Sequence, residues 1–220
     1  MAGRVRVNSR PAAKPDLKVE ATAQIAVVGG AAEYASRGAY KLAAAIDHFS
    51  LRVEGRLALD VGASTGGFTD VLIRRGAAHV IALDVGYGQL ADRLRRDARV
   101  TVIDRTNIRH VAAVDLPYRP NLIVVDVSFI SLRLVLPTLK LLADAPVEII
   151  ALVKPQFEVG KGKVGKGGVV RDESLRAQTL ADVLEFAATI GLELVGSLES
   201  PLAGAAGNLE YLAMFRYSGG

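Results

Sequence analysis

Cysteine is absent from this sequence. Disulfide bonds and thiolate metal sites are therefore excluded, and the composition fits a reducing compartment. Histidine is scarce too: three scattered residues cannot supply the ligand set of a structural zinc site, so no metal site is expected. Aromatics are only 5% of the chain while glycine occurs 22 times, a balance that suits an α/β protein with many tight turns better than a coiled coil or a disordered chain. No apolar run approaches the roughly 20 residues that span a bilayer. The N-terminus carries arginines with no apolar stretch behind them, unlike a secretory leader. These absences leave a soluble, cytoplasmic protein without a membrane span as the expectation.

What is present is a chain of 220 residues, half of them apolar, enough to bury a full core in one or two domains. The net charge is +4, and the placement of the charge says more than its size. Arg4, Arg6, Arg10, Lys14 and Lys18 crowd the first residues. Lys161, Lys163, Lys166 and Arg171 crowd a stretch, residues 158–171, that also holds five glycines. Both segments read either as solvated, flexible chain or as surfaces facing RNA.

Residues 1–30 read as an appended fragment. Arg4 to Val7 alternates charged and apolar residues as a short strand does. Pro11 and Pro15 interrupt the next stretch, Gln24 to Val28 can form a second strand, and Gly29-Gly30 breaks the chain. From Ser36 to the end the pattern is regular. Ser36 is a candidate helix N-cap before Tyr40, Leu42, Ala45, Ile46 and Phe49 at helical spacing. Strands are predicted at 57–61, 79–83, 100–103, 122–125 and 147–153, with helices at 68–75, 89–96 and 172–190. Two final strands, 192–198 and 210–217, form an antiparallel edge. Strands alternating with helices imply right-handed crossovers and a mostly parallel, doubly wound, Rossmann-like α/β sheet covered on both faces.

The strongest local motif is Asp60-Val61-Gly62-Ala63-Ser64-Thr65-Gly66-Gly67-Phe68, between an apolar strand and a helix. Ligands of doubly wound folds bind where such strands end. Glycines there let the backbone pass close to a ligand, and the helix start offers free N–H groups. A dinucleotide fingerprint wants glycine at the first, third and sixth positions. Here the third is Ser64, and Gly66 and Gly67 are adjacent. The run resembles instead the D-x-G-x-x-x-G-G turn of methyltransferases, which implies S-adenosylmethionine as cofactor. Asp84, at the end of the second strand, can accept hydrogen bonds from both ribose hydroxyls of a nucleoside ligand, and Asp104, ending the third, from an adenine amino group. The candidate cofactor residues are Asp60, Gly62, Ser64, Gly66, Gly67, Phe68, Asp84, Asp104 and Asp126. For either Asp84 or Asp104 alone, a strand-end turn or helix cap is the competing reading.

Four charged residues sit inside apolar surroundings. Lys41 lies among Tyr40, Leu42 and Ala43, Asp126 ends Leu122-Ile123-Val124-Val125, Lys154 ends Ile149-Ile150-Ala151-Leu152-Val153, and Glu210 opens the last strand. The segments around them are Ser36-Arg37-Gly38-Ala39-Tyr40-Lys41-Leu42, Asp126-Val127-Ser128-Phe129-Ile130-Ser131-Leu132, Val153-Lys154-Pro155-Gln156-Phe157-Glu158 and Gly207-Asn208-Leu209-Glu210-Tyr211. Together they resemble the TlyA family of haemolysin-A-like rRNA 2′-O-methyltransferases, relatives of the FtsJ methyltransferases. The resemblance runs from about residue 34 to the end. It implies a class I methyltransferase fold, ribosomal RNA and ribosomal subunits as partners, a cytidine ribose as acceptor, and a Lys-Asp-Lys-Glu tetrad at Lys41, Asp126, Lys154 and Glu210.

Chemistry accounts for those residue types. A ribose 2′-hydroxyl is a weak acid and a poor nucleophile, and the methyl donor is a sulfonium cation. A lysine amine serves as base only when its pKa lies well below roughly 10.4, and burial and a second ammonium both lower it. Lys154 is the candidate base, or the group that orients the hydroxyl. Asp126 holds it, and Lys41 and Glu210 position the ribose. Two structural lysine–carboxylate pairs are the plain alternative.

Residues 158–171 are read as a flap touching RNA phosphates, with a disordered connector as the alternative. Arg37, Lys161, Lys163, Lys166 and Arg171 are the candidate RNA contacts. Residues 3–28 resemble the tail of the small RNA-binding domain preceding the catalytic domain in that family, so the expected division is 1–30, a remnant of that domain plus linker, and 31–220, the methyltransferase domain. Competing functions are a methyltransferase of the same fold acting on another RNA, a small molecule or a base, a membrane-active haemolysin, and a non-catalytic RNA-binding module. Base methylation calls for an Asn/Asp-Pro-Pro-Tyr motif or a cysteine nucleophile, and neither occurs. Pore formation calls for a spanning or strongly amphipathic segment.

Overall fold

The computed structural model describes residues 5–12, 17–27, 34–160, 162, 164–165 and 167–219. The chain forms two compact units, Met1–Glu33 and Tyr34–Gly220. The first holds three short antiparallel strands, with Val5–Val7 between Arg10–Pro11 and Ile25–Val27. Pro11, expected to interrupt, is accommodated on an outer strand, where its missing N–H is harmless. The hairpin turns through Asn8 and Ser9, both at positive φ. The Asn8 side chain accepts a bond from the Gln24 amide, and Asn tolerates the left-handed region better than most residues.

The second unit is built on seven strands. They are β1 (Leu57–Val61), β2 (His79–Leu83), β3 (Val100–Ile103), β4 (Leu122–Val125), β5 (Val147–Val153), β6 (Glu193–Glu199) and β7 (Tyr211–Tyr217). Their order is β3-β2-β1-β4-β5-β7-β6. The first five pair in parallel, and β7 runs antiparallel to both neighbours. The terminal pair forms an antiparallel edge as expected, with β7 inserted between β5 and β6, so that β6 is the outermost strand on that side. Composition explains the choice: Leu212 to Phe215 are apolar on both faces and buried, whereas β6 alternates toward solvent.

Alternation assigns each strand residue to one of two cores. Leu59, Val61, Ile123, Val125, Ile149 and Phe215 pack on one face with Leu136, Leu139 and Val183. Ala58, Leu122, Val124, Ile150 and Leu212 pack on the other with Leu42, Phe68 and Leu72. Each such buried Val, Leu, Ile or Phe side chain contributes about 1.5–3 kcal/mol.

The helices are α1 (Gly38–His48), α2 (Gly67–Arg74), α3 (Asp92–Arg95), α4 (Leu136–Leu142), α5 (Pro155–Glu158) and α6 (Glu173–Thr189). Among the described residues, none is long and apolar enough to cross a membrane. Three details differ from expectation. Arg37, not Ser36, occupies the N-cap position of α1, without a capping side-chain bond, because the Ser36 hydroxyl lies against Gly67. The predicted helix 89–96 shrinks to the single turn α3, since the chain before it is drawn into a loop whose Gly86 and Gly88 amides bond to Asp84 and Asp104. Helix α4 has no counterpart among the predicted elements, although Pro137 near its start and Leu136, Leu139 and Leu142 on one side are its signature.

Gly62 brings the ends of β1 and β4 together. Its φ is +83°, and a Cβ there would collide with the backbone oxygen of Asp126. Gly88 is also left-handed, at φ +66°, but has open space around it. Gly88→Ala is therefore expected to lose only the backbone preference, about 1 kcal/mol. Gly62→Ala is expected to lose about 3 kcal/mol, because overpacking adds to the same strain. Denaturant unfolding of the two variants checks the difference.

Candidate active site

Parallel strands end on one edge of the sheet, so the residues that follow them share that edge. Asp126 follows β4 and Lys154 follows β5. Lys154 Nζ stands 2.6 Å from Asp126 Oδ1 and donates a hydrogen bond to Ser128 Oγ at 2.9 Å. Lys41, from the first turns of α1, reaches Glu210, just before β7, with Nζ 2.5 Å from Oε2. Gln156 Nε2 donates to the other oxygen of Glu210 at 3.2 Å. The four charged residues singled out in the sequence thus form two ion pairs, and Gln156, two residues beyond Lys154 in the chain, bonds to the second of them. Lys41, Lys154 and Glu210 are buried, where an unpaired charge would be strongly unfavourable.

Two clefts open beside these pairs and share Gly62, Ser64 and Asp126 as a wall. The larger, about 970 Å³, runs past Asp84, Asn107, Ser128 and Phe129. The smaller, about 300 Å³, is lined by Arg37, Lys41, Gly67, Phe68 and Gly204. Lys154 and Glu210 lie just behind the linings.

The turn after β1 is held by Asp84. Its carboxylate accepts the Ser64 amide at 2.8 Å and the Gly86 amide at 2.6 Å, fixing Ser64 at φ +47°. The glycines of this turn answer first to the protein's own packing. A Cβ at Gly66 would meet Leu94 and Leu90, and one at Gly67 would meet the Ser36 hydroxyl and the Ala39 amide. Phe68 is buried in the α1–α2 core, with one side toward the smaller cleft.

Two residues expected at the cofactor lie elsewhere. Asp60 lines neither cleft, because strand alternation points it under α2. There Oδ2 accepts the Thr69 hydroxyl at 2.6 Å, and Oδ1 is buried with no partner. Burial, helped by the nearby carboxylates of Asp126 and Asp84, pushes its pKa up to about 7. The Asp104 carboxylate also turns away, accepting the Gly88 amide at 3.0 Å and Arg95 at 3.4 Å. Thr106, Asn107 and Ile108, further along, line the cleft in its place. Arg37 is exposed at the start of α1, and Arg171 is exposed just before α6 and lines neither cleft. Lys161, Lys163 and Lys166 lie outside the described residues.

Sequence reasoning weighs charges set in apolar surroundings and so passes over the neutral Ser128, Phe129 and Gln156 and also Glu158, which lies outside such a run, although the motifs around the charged residues contain them. Phe129 is 91% exposed at φ +64°, and its ring lies 5.1 Å from that of Phe157. A phenylalanine in the left-handed region costs about 1–2 kcal/mol and persists only where its surroundings impose it. Glu158 imposes it: its carboxylate accepts Ser131 Oγ at 2.6 Å and the Leu132 amide at 2.7 Å. Burial raises the pKa of that carboxyl.

Comparison with known proteins bears on this geometry. The family model described as FtsJ-like methyltransferase matches residues 34–217. The 16S/23S rRNA (cytidine-2'-O)-methyltransferase TlyA of Mycobacterium tuberculosis is 51% identical over 216 residues, which is 98% of this chain and 81% of that protein. A solved structure described as a hemolysin from Streptococcus thermophilus is 40% identical with a TM-score of 0.86, covering 99% of this chain and 80% of that one. An S-adenosylmethionine dependent methyltransferase from Mesorhizobium loti shares the fold at 15% identity, with a TM-score of 0.57 over 79% of this chain and 96% of that one.

Asp60 supplies a pH test. In the unfolded chain its carboxyl ionises near 3.8, and in the folded protein near 7. Between those values the folded state holds a proton that the unfolded state has released, so stability falls as pH rises from about 4 to about 7 and levels off above. Asp60→Asn keeps an acceptor for Thr69 without the ionisation. It should match the parent near pH 4 and melt higher at pH 8, the gap approaching about 1.4 kcal/mol per unit of pKa shift. Thermal unfolding across that range checks it, and a gap independent of pH would exclude the assignment.

Proposed function

This chain belongs to the FtsJ-like methyltransferase family and, within it, to the TlyA proteins, and from that premise we propose that it methylates a cytidine ribose 2′-hydroxyl of ribosomal RNA with S-adenosylmethionine. The observation that carries the reading is the Lys154–Asp126 pair, whose carboxylate is part of the wall that two clefts share. When bound, S-adenosylmethionine supplies an electrophilic methyl group, which leaves its sulfonium sulfur for the ribose oxygen. The larger cleft suits that group. Its volume lies within the usual range for small-molecule sites, about 300–1,000 Å³. The Asp84 oxygens each take one amide and keep lone pairs for ribose hydroxyls. Val61, Leu83 and Ile108 offer apolar wall for a purine, and the Asp126 carboxylate favours a nearby cation.

The chain's own residues then have distinct tasks. In its unprotonated form Lys154 Nζ receives the proton of the ribose hydroxyl, and Asp126, 2.6 Å away, stabilises the ammonium that results, which gives the proton up to solvent before the next turnover. Lys41 and Glu210 hold the ribose side of the shared wall and keep the local charge balanced. Phe129 presents a bare ring to a base lifted out of its stack, a contact worth about 1–3 kcal/mol. Arg37, Lys161, Lys163, Lys166 and Arg171 meet RNA phosphates, as do the basic residues of the first unit. Binding to ribosomal subunits places this work in the cytoplasm.

Transfer of labelled methyl to unmodified ribosomal subunits tests the reading. Lys154→Ala is expected to slow transfer by about 10²–10⁴-fold, the usual contribution of a general base. The product should resist alkaline cleavage 3′ to one nucleotide, and label on a base would overturn the assigned acceptor. Replacing Lys161, Lys163 and Lys166 together by Ala should flatten the log–log dependence of subunit binding on salt by about 0.7–0.9 per lost phosphate contact. An unchanged slope would remove those lysines from the interface.

A further inference from the structure

An amine that accepts a proton must present its lone pair in the right direction. A neutral lysine nitrogen carries two hydrogens and one lone pair, and it turns freely about its last carbon–nitrogen bond unless a hydrogen is held. Asp126 Oδ1 at 2.6 Å is an ion-pair contact, and charge attraction alone does not fix rotation about that bond. Ser128 Oγ at 2.9 Å accepts the hydrogen bond that does. With one hydrogen on Ser128 and the lone pair repelled by the Asp126 carboxylate, few directions remain for the lone pair. The Lys154 side chain is 10% exposed, so its end is only narrowly accessible.

Ser128 is exposed on the lining of the larger cleft, yet its loop is held. Glu158 grips Ser131 and Leu132, the Phe129 ring lies on Phe157, and the backbone beside Ser128 is kept left-handed at Phe129. Glu158 and Phe157 belong to α5, the turn that Lys154 opens. The segment carrying the amine therefore also clamps the loop carrying its hydrogen-bond acceptor, so their distance is built into one local unit.

We propose that Ser128 is a positioning residue that aims the Lys154 amine at the ribose hydroxyl. The proposal rests on the methyl-transfer reading above and adds to it a residue outside the two ion pairs. Proton and charge balance are simple: the hydroxyl proton moves to Lys154 Nζ, and Ser128 accepts a hydrogen bond before and after without changing its own protonation.

The test measures single-turnover methyl transfer to unmodified subunits for the parent, Ser128→Ala, Ser128→Thr, Lys154→Ala and the Ser128→Ala/Lys154→Ala double variant, with cofactor affinity followed by calorimetry. Ser128→Ala should lower kcat by about 10–100-fold, part of the 10²–10⁴ that base catalysis supplies. KM for subunits and cofactor Kd should stay within about twofold, since uniform binding is untouched. Ser128→Thr, which restores the acceptor, should recover most of the rate. In the Lys154→Ala background, Ser128→Ala should have no further effect, because residues acting as a unit are not additive. Four results would each overturn the proposal: an unchanged kcat in Ser128→Ala, a raised KM at unchanged kcat, no rescue by threonine, or full additivity in the double variant. The underlying reading fails separately, if Lys154→Ala itself transfers methyl at the parent rate.

Discussion

Lys154 and Asp126 meet at 2.6 Å on the carboxyl edge of the sheet, and much of the local architecture serves that meeting. Neither group tolerates removal from water alone. Breaking a buried pair costs about 3–5 kcal/mol, because the survivor is left uncompensated. The pair is also unequal in exposure: the lysine side chain is nearly covered, and the carboxylate is 26% exposed. The companion pair, Lys41 with Glu210, is closed on both sides. A chain that kept four charges here for stability alone would do as well with apolar residues of similar volume. Their place beside two clefts fits the methyl-transfer role proposed above.

The order of the strands creates that wall. Moving outward from β1, the chain goes to β2 and β3 on one side and then to β4 and β5 on the other. At such a reversal the crossover helices leave in opposite directions and a crevice opens above the strand ends. Gly62 sits at this point, against the Asp126 backbone. Inserting β7 beside β5 completes the arrangement, because it carries Glu210 to the sheet edge where Lys41 and Gln156 can reach it.

Local pattern made much of this legible. The five parallel strands are mostly apolar runs of four to seven residues, each followed directly by glycine or a charged residue, and the long helix α6 is announced by the Asp172 cap and by Gly191 beyond its end. The charged residues at strand ends stood out because charge is rare in such surroundings. Neutral residues gave no comparable signal. Ser128 and Gln156 act through hydrogen bonds to groups distant in sequence, and an exposed serine or glutamine looks ordinary in one dimension. Asp60 and Asp104 misled for the opposite reason: a carboxylate at a strand end can turn to the ligand, to a neighbouring loop amide or under a helix, and the motif is the same in each case.

By itself the sequence determined the fold class, the boundaries of the five parallel strands, the turn at Gly62–Gly67 and the identity of the four charged residues, because periodicity, chain breakers and the rarity of buried charge are local properties of the chain. Tertiary structure alone decided how those charges pair, where β7 enters the sheet, which of Asp60, Asp84 and Asp104 lines a cleft, and that Ser128 lies against Lys154. Each of those outcomes depends on contacts between segments far apart in sequence, set by the packing of two cores on one sheet, and no window along the chain contains both partners.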